Sequence, residues 1–190
     1  FDNTIHLAAQ AISALRDIKF TNSHEMGKGV LTPTGLVTNS NTSMAPSKTS
    51  IRFDRRTVPG DDESLTKNEI MNIVEKISPN SFSLDIEERE TLTYTGEKIP
   101  CRKIFPSWEI DKNHQLVKSL TQAVQNNGIP TEFGYWEFCT NGVESMGKRK
   151  VNTIGFGPGN EELAHTTDEY VELEHLDKAC KVYGELIKII

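Results

Sequence analysis

Residues 154–169 read Ile-Gly-Phe-Gly-Pro-Gly-Asn-Glu-Glu-Leu-Ala-His-Thr-Thr-Asp-Glu, and the rest of the chain is organised around this stretch. Residues 151–154 predict a short buried strand, and the glycines with Pro158 predict an irregular turn after it. His165 follows in a polar loop. A histidine held near a strand end, beside carboxylates that fix its tautomer, can bind a metal. The local sequence leaves two interpretations of His165 open: a metal ligand, or a loop side chain without that role.

The composition is typical of a globular protein with one or two domains. Of the 190 residues, 36% are hydrophobic and 25% are charged, and the formal net charge is −6. The basic residues are scattered along the chain. Because phosphate binding depends on a clustered positive surface, we expect no nucleic-acid partner and no anionic-membrane partner.

Cysteine usage and apolar run lengths indicate where the protein works. Cys101, Cys139 and Cys180 are odd in number, widely spaced and without a C-x-x-C pair. This pattern argues against a disulfide framework and against a cysteine zinc knuckle. The apolar runs are shorter than a membrane span needs, and we expect no signal peptide. A reducing cytoplasm is the predicted location.

The first 96 residues predict the order helix, strand, strand, helix, strand. The predicted elements are a helix with an apolar stripe from Ile5 to Ile18, strands at 30–37 and 50–54, a helix whose capping box is 66–69, and a last strand at 82–86 that an acidic stretch and a second short strand at 92–94 extend. In the second strand Ile51 and Phe53 share one face, and Arg52 and Asp54 the other. One more strand before Phe1 would complete a ferredoxin-like βαββαβ unit, an open sheet with two helices on one face.

Residues 97–190 predict part of a second α/β layer. The predicted elements are an irregular crossing at 96–108, a helix capped by Asp111 and closed by Gly128, strands at 131–138 and 151–154, and a last helix at 173–190. Six side chains of the last helix are expected to face inward: Leu176, Ala179, Cys180, Tyr183, Leu186 and Ile187. Since α/β sheets hold their sites in loops at strand ends, the loop 139–147 and the stretch 154–169 are the candidate positions.

Three enzyme motifs are excluded by their spacing. His24 begins an H-E-x-x-H pattern, but Lys28 stands where the second histidine is needed. The glycines of 154–169 do not follow G-x-G-x-x-G, and Pro158 replaces the helix start that would bind a pyrophosphate. No serine or cysteine shows a nucleophile pattern. Solvated or capping roles are expected for the histidines on predicted helices: His6, His114 and His175.

Two arginines at a predicted strand end are a second candidate position. Arg55 and Arg56 directly follow Asp54. They could form a solvated ion pair with this carboxylate, or one of them could be a fork for a substrate carboxylate. The residues alone leave both roles open.

Three motifs, in this order and spacing, resemble the zinc aminoacylase, acetylornithine deacetylase and carboxypeptidase family of metallohydrolases. They are Asp-Arg-Arg-Thr-Val-Pro-Gly at 54–60, Cys-Thr-Asn-Gly at 139–142, and the block from Gly155 to Glu169. The resemblance spans nearly the whole chain, and the glycine-rich block up to His165 is its most specific part. The Thr-Asn-Gly-Val form of the second motif resembles most a branch of hydrolases assigned to selenium metabolism.

The resemblance implies roles for four residues. His165 matches a histidine that completes the coordination of one of two zinc ions, for which cobalt or manganese are the alternatives. Arg56 matches an arginine that binds the free carboxylate of the substrate, which suits its planar fork. Asn141 and Gly142 match a loop that lines the substrate pocket, where the glycine permits close backbone approach. None of the four is matched to a catalytic acid, base or nucleophile.

The resemblance also implies a domain arrangement. Residues 1–96 match a lid or dimerisation domain, through which a homodimer is expected, and residues 97–190 match the C-terminal part of the catalytic domain. In the family an asparagine stands just before a lid proline, whereas the matching stretch here is Thr42-Ser43-Met44-Ala45-Pro46. This departure puts the usual amide contact in doubt.

The implied reaction is metal-assisted hydrolysis of an amide or peptide bond in an N-acyl amino acid or short peptide. In the family the remaining metal ligands and a glutamate base lie in the first half of the catalytic domain. Since the chain opens without a methionine and is soon helical, we expect a segment of a longer protein, with a processed mature terminus as the alternative. The 190-residue piece alone is expected to be inactive.

Two other classes of function remain open. The chain could be a regulatory or scaffold protein that kept the lid for dimerisation and lost catalysis. It could instead be a small-ligand binding module that uses Arg56 and the glycine-rich loop without chemistry.

Overall fold

The computed structural model describes residues 3–25, 27–40, 43–136 and 138–190. It has a mixed α/β structure that divides into two compact units, Phe1–Ser107 and Trp108–Ile190. The described part of the chain contains no helix with the length and apolar character that a membrane span needs. Phe1, beside which the sequence predicts a completing strand, lies outside the described residues.

The first unit contains two helices and six strands in its described residues. In chain order they are α1 (Thr4–Leu15), β1 (Ser23–His24), β2 (Gly27–Lys28), β3 (Val30–Thr38), β4 (Thr49–Arg56), α2 (Glu63–Val74), β5 (Glu88–Leu92) and β6 (Lys98–Arg102). The strands form three separate antiparallel pairs, β1–β2, β3–β4 and β5–β6. The predicted first helix and the strands predicted at 30–37 and 50–54 are confirmed as α1, β3 and β4.

The long hairpin of β3 and β4 has one face toward a core and one toward solvent. Along β4, Ile51 and Phe53 are half-buried while Arg52 and Asp54 are exposed, as the alternation predicts. A register shift in β3 lies next to Pro33, a residue that strands tolerate at such irregularities. The buried side chains that this face packs against come from both helices: Ala11, Leu15, Ile70 and Val74.

Helix α2 begins one turn earlier than the sequence pattern predicts. Asp62 is its N-cap, and its Oδ1 accepts a hydrogen bond of 2.7 Å from the backbone N–H of Leu65. Thr66 is already inside the helix, where its N–H donates to the Asp62 carbonyl. The predicted capping box at 66–69 is therefore wrong, because Asp62 already caps the helix one turn before Thr66.

Two predicted strands of the first unit differ from the structure. Residues 82–86 form no regular strand, although Phe82 and Leu84 pack against the core, because no described strand pairs with them. The strand predicted at 92–94 lies at Glu88–Leu92 and pairs with Lys98–Arg102, in a segment predicted to be irregular. This hairpin is largely exposed, so its sequence lacks the apolar alternation on which the prediction depended.

These differences bear on the predicted ferredoxin-like lid. The described residues of the first unit contain three two-stranded sheets rather than one open sheet of four strands. The mixed α/β class predicted from the sequence is confirmed, whereas the βαββαβ arrangement stays a prediction.

The second unit is built on two helices, α3 (Gln115–Asn126) and α4 (Leu173–Ile189). A π-helical turn at Val143–Lys148 and a 3₁₀ turn at Glu161–Leu163 lie between them. The buried side chains of the core are Leu120, Ala123, Val124 and Val182, with Ile154 and Phe156 among the partly buried ones against them. This packing fixes the start of the stretch 154–169 on the core.

Helix α3 is capped by a histidine. Nδ1 of His114 accepts a hydrogen bond of 3.1 Å from the N–H of Leu116, which confirms a capping role for this side chain. The predicted cap Asp111 instead accepts from the N–H of Asn113 in the preceding turn. Gly128, with φ at 68°, follows the helix end as predicted.

The two strands predicted in the second unit are absent from its described residues. Residues 131–136 and 151–154 have no regular secondary structure, and Glu137 lies outside the described part of the chain. Phe133, Tyr135 and Val151 are exposed. The prediction was wrong here because a strand needs a hydrogen-bonded neighbour, which no described segment of this unit supplies.

The predicted inward face of α4 is partly confirmed. Ala179 is buried, and Leu186 packs against the core. The other side chains predicted to face inward are exposed: Leu176, Cys180, Tyr183 and Ile187. The buried face of α4 is narrower than the face that its apolar side chains cover, because α3 is the one described helix that packs against α4.

The capping arrangement of α2 gives a stability prediction. We expect Asp62→Ala to lower the free energy of unfolding of the first unit by about 1 kcal/mol, since it removes the side-chain acceptor at the helix start. Thr66→Ala is the matched control and should cost less than about 0.5 kcal/mol. Urea unfolding followed by circular dichroism measures both. A larger loss of stability in Thr66→Ala than in Asp62→Ala would contradict Asp62 as the cap and support the capping box at 66–69.

Candidate functional site

Arg55 and Arg56 project from opposite faces of β4, because side chains alternate along a strand. The Arg55 side chain is 11% exposed, whereas that of Arg56 is 57% exposed. An incoming ligand can therefore reach Arg56 and not its neighbour.

Arg56 lies at the end of the hairpin and faces Asp54. Its Nε is 3.0 Å from Oδ1 of Asp54, and its Nη2 donates to Oδ2 at 3.4 Å. Both side chains are well exposed, and an ion pair of this kind contributes little to stability. A carboxylate from solution can replace Asp54 at a small cost in free energy. The ion pair is present, and the role of Arg56 toward a substrate stays a prediction.

Arg55 is held in a buried polar cluster. Its Nη2 donates to Oδ2 of Asp61 at 2.7 Å, and the Asp61 side chain is 1% exposed. The guanidinium lies over the ring of Phe20, 3.6 Å from the ring centroid. Burial lowers the pKa of Arg55, while Asp61 and then Glu69 act to raise it. A Cβ at Gly29 would lie 2.7 Å from Cζ of Arg55, so the guanidinium occupies space that only glycine leaves.

Asn141 and Gly142 open the π-helical turn Val143–Lys148. The Asn141 carbonyl accepts a hydrogen bond of 3.0 Å from the N–H of Glu144. Gly142 is buried, and a Cβ there would lie 2.5 Å from Cε2 of Trp108. The close approach expected at this glycine is thus made by a tryptophan of the same unit. The predicted role of both residues in lining a substrate pocket stays a prediction.

His165 lies in an exposed loop directly after the 3₁₀ turn. Its backbone has φ at 63°, a left-handed conformation that is uncommon for residues other than glycine, and Asp168 adopts φ of 61° three residues later. The backbone N–H of His165 donates to Oε2 of Glu169 at 3.0 Å. In this contact the neighbouring carboxylate fixes the backbone of the loop, whereas the sequence predicts that it fixes the imidazole tautomer.

One open cavity of the second unit joins the two motif loops. Its volume is 1040 Å³, and both Thr140 and Ala164, the residues just before Asn141 and His165, line it. The aromatic side chains of the lining are Trp136, Phe138, Phe156 and Tyr170. Thr140 of the second motif and Ala164 of the third thus share one concave surface, whereas Asn141 lines a second cavity, and Arg56 belongs to the first unit.

The described residues do not contain a complete metal centre. Within residues 3–25, 27–40, 43–136 and 138–190, no three side chains of His, Cys, Asp or Glu are placed to hold one ion. His165 can supply one nitrogen ligand, but a zinc site uses three or four protein ligands. The described residues therefore do not fit zinc by themselves, and His165 as a metal ligand stays a prediction.

The stretch 42–46, where the sequence lacks the family's asparagine before a lid proline, lies only partly within the described residues. Thr42 lies outside the described residues. Ser43 and Met44 are exposed, and the carbonyl of Pro46 accepts a hydrogen bond of 3.0 Å from Oγ1 of Thr4. The effect of this departure on substrate choice stays a prediction.

Several residues that shape the candidate site were not found from the sequence. Phe20, which packs on Arg55, and Trp108, which packs on Gly142, are distant in sequence from the residues that they contact, whereas Asp61 pairs with Arg55 from six residues away. Glycine positions gave the available signal, because Gly29 and Gly142 both stand where a bulky side chain approaches the backbone.

Comparison with known proteins identifies relatives along almost the whole chain. The sequence model of peptidase family M20/M25/M40 matches residues 8–189. The chain is 27% identical over 189 residues to "Uncharacterized protein YgeY" of Escherichia coli (strain K12), which covers 97% of this chain and 47% of that protein. It is 28% identical over 162 residues to "Uncharacterized metallohydrolase MMP1398" of Methanococcus maripaludis, covering 82% of this chain and 38% of that protein.

A third relative has a more specific name. The chain is 28% identical over 143 residues to "Probable succinyl-diaminopimelate desuccinylase" of Staphylococcus aureus (strain MRSA252), covering 74% of this chain and 32% of that protein. The chain spans about half the length, or less, of the curated relatives that it matches.

The contact between Gly142 and Trp108 gives a prediction with a matched control. We expect Gly142→Ala to lower the free energy of unfolding of the second unit by about 1–3 kcal/mol, because the new methyl group overlaps the indole. Gly157→Ala should cost less than about 1 kcal/mol, since nothing lies within 4 Å of a Cβ there. Urea unfolding with tryptophan fluorescence measures both. In a Trp108→Ala background the cost of Gly142→Ala should fall; equal costs in both backgrounds would contradict the contact.

Glu144, beside Asn141, gives a pH prediction. Hydrogen bonds from Arg149 at 3.0 Å and then from Lys148 at 3.2 Å hold the pKa of Glu144 below its ordinary value of 4.5. A lowered pKa means that the stabilisation is complete well above pH 4.5 and is lost as the pH falls from there through the folded-state pKa.

Glu144→Gln should therefore lower the Tm at neutral pH and have no effect at acid pH below the folded-state pKa. Because the side chain is exposed, the shift should be small and should shrink in high salt. The exposed Glu132→Gln in the same unit is the control. Melting curves across this pH range test the prediction, which a pH-independent shift would contradict.

Proposed function

Because the chain belongs to peptidase family M20/M25/M40, we propose that it is the C-terminal portion of a zinc-dependent metallohydrolase. The proposed reaction is hydrolysis of an amide or peptide bond in an N-acyl amino acid or a short peptide. The family match over residues 8–189 is the observation that carries this proposal. The relatives named as a metallohydrolase and as a succinyl-diaminopimelate desuccinylase support the same class of reaction.

Arg56 is the proposed contact for the free carboxylate of the substrate. A guanidinium meets both oxygens of a carboxylate through parallel N–H donors. The exposed ion pair with Asp54 supports this role, because the Arg56 guanidinium already binds a carboxylate in a position that solvent reaches. A substrate carboxylate would take the place of the aspartate.

Asn141 and Gly142 are the proposed pocket residues, and His165 is the proposed metal ligand. The neighbouring residues Thr140 and Ala164 line one cavity, which supports a shared site for the two loops. Zinc supplies Lewis-acid activation when it is bound with its full ligand set. The other ligands and the general base are proposed to lie in a part of the protein beyond the described residues, so the 190-residue chain alone should not catalyse hydrolysis.

The proposal extends to assembly and location. Residues 1–96 are the proposed lid through which two copies associate, residues 97–190 are the proposed C-terminal part of the catalytic domain, and the cytoplasm is the proposed compartment. The three cysteines carry no disulfide, which suits a reducing compartment.

Metal content tests the role of His165. In the full-length protein we expect His165→Ala to lower bound zinc by about one ion per chain, because an imidazole ligand is removed from a site that needs its full set. His6→Ala, which removes an exposed imidazole of α1, is the matched control and should leave the zinc content unchanged. Inductively coupled plasma mass spectrometry of dialysed protein gives the number.

Two outcomes would contradict the proposal. If His165→Ala contains as much zinc as the wild-type protein, His165 is not a metal ligand, and a small-ligand binding protein without chemistry is favoured. Zinc-dependent hydrolysis by the purified 190-residue chain would contradict the claim that this portion alone is inactive.

A further inference from the structure

Arg55 is charged and almost fully buried directly beside the exposed Arg56. We infer that Arg55 is a positioning residue, which holds the backbone of Arg56 so that its guanidinium is presented to the substrate carboxylate. The inference rests on the proposed function of Arg56 and deepens it. Arg55 itself touches no substrate, since its side chain lies on the opposite face of β4.

The two terminal nitrogens of the Arg55 guanidinium bond to two different residues. Nη1 donates a hydrogen bond to the carbonyl of Arg56, the last residue of β4. Nη2 donates to Oδ2 of Asp61 at 2.7 Å. Because the guanidinium is planar and rigid, these two bonds fix the Arg56 carbonyl relative to the turn that follows the strand.

Asp61 extends this restraint through the turn. Its Oδ2 also accepts from the backbone N–H of Val58 at 3.0 Å, and its Oδ1 accepts from Nδ2 of Asn22 at 3.1 Å. On its other side Arg56 is held by the pairing with Val30 of β3. Arg56 thus lies between two fixed points of backbone, and its side chain leaves the strand in a defined direction.

The guanidinium of Arg55 lies between Phe20 and Gly29. Phe20 lies 3.6 Å below the guanidinium, and Gly29 leaves the space that its Cζ and Nη atoms occupy. A lysine at position 55 would keep the charge near Asp61, but one rotating nitrogen would replace two nitrogens held at a fixed separation in a rigid plane, so the Arg56 carbonyl would lose its fixed direction relative to Asp61. Arg55→Lys is therefore the variant that separates charge from positioning.

Burial of Arg55 could also serve stability alone, and coupling between the two arginines distinguishes these roles. A positioning residue acts through Arg56, so its effect on substrate binding should vanish when Arg56 is already truncated. A stabilising residue with no link to the site would have the same effect in both backgrounds. A double-mutant cycle of Arg55→Lys and Arg56→Ala measures this coupling.

The experiment uses the full-length zinc-loaded protein and steady-state hydrolysis. The substrate is whichever of N-acetyl-L-alanine, N-acetyl-L-methionine and N-succinyl-L-alanine is cleaved fastest. The analogue in which a carboxamide replaces the α-carboxylate serves as the control, because it lacks the carboxylate that Arg56 is proposed to bind. Thermal melting of each variant establishes that it is folded. Asp61→Asn is a second variant of the same cluster, which keeps the shape of the side chain and weakens the ion pair.

We expect Arg55→Lys to raise KM for the carboxylate substrate about three- to tenfold with kcat nearly unchanged, the effect of losing about one well-placed hydrogen bond in binding. Asp61→Asn should raise KM in the same direction. Neither should change KM for the carboxamide, and Arg55→Lys should add nothing in the Arg56→Ala background.

Each other result overturns a stated part of the argument. If Arg56→Ala raises KM while folded Arg55→Lys and Asp61→Asn do not, the positioning role of Arg55 is wrong and the proposed function stands. The same holds if the effect of Arg55→Lys persists in the Arg56→Ala background. If Arg56→Ala leaves KM unchanged, or if the wild-type protein cleaves none of the three substrates, the proposed function fails and the inference falls with it.

Discussion

The ion pair of Arg55 and Asp61 places the end of β4 and the turn that follows it. Two opposite charges that have lost most of their water must satisfy each other, because a buried charge without a partner costs several kcal/mol. The surroundings follow from this need. Gly29 has no side chain because the guanidinium fills that space, and Phe20 offers it an aromatic face. The turn after β4 closes on Asp61, so the strand end is placed by electrostatics as well as by strand pairing.

In the second unit, contacts between glycine and tryptophan have a comparable effect. Trp108 packs on Gly142, and Trp136 packs on Gly155, where a Cβ would lie 3.2 Å from Cε3 of the indole. These contacts set the course of the two loops that carry the family motifs. Gly155, the first glycine of the stretch 154–169, thus receives an aromatic side chain of the same unit, whereas nothing lies within 4 Å of a Cβ at Gly157. A polar cluster organises one unit, and close aromatic packing organises the loops of the other.

Family membership, the helices α1 and α4 and the hairpin of β3 and β4 could be predicted from the sequence. They depend on local apolar periodicity or on motif order, both of which a single sequence contains. The start of α2 was missed because Asp62 and Thr66 are both good capping residues, and the choice depends on the turn before the helix. The strands predicted at 131–138 and 151–154 were wrong because strand formation depends on a partner. The contacts of Phe20 with Arg55 and of Trp108 with Gly142 were beyond reach, since contacts over long sequence separations leave no periodic signal.

The opposite orientations of Arg55 and Arg56 make strand register a chemical property of this protein. Side chains alternate with a period of two, so a displacement of β4 by one residue would turn Arg56 inward and Arg55 outward. Two neighbouring residues of the same type would exchange a buried structural role and an exposed one. A one-residue insertion or deletion between Phe53 and Arg55 would therefore exchange the two roles, whereas the connection from β3 to β4 can change its length without moving the strand. The apolar pattern of β4 thus decides which of two identical side chains meets solvent.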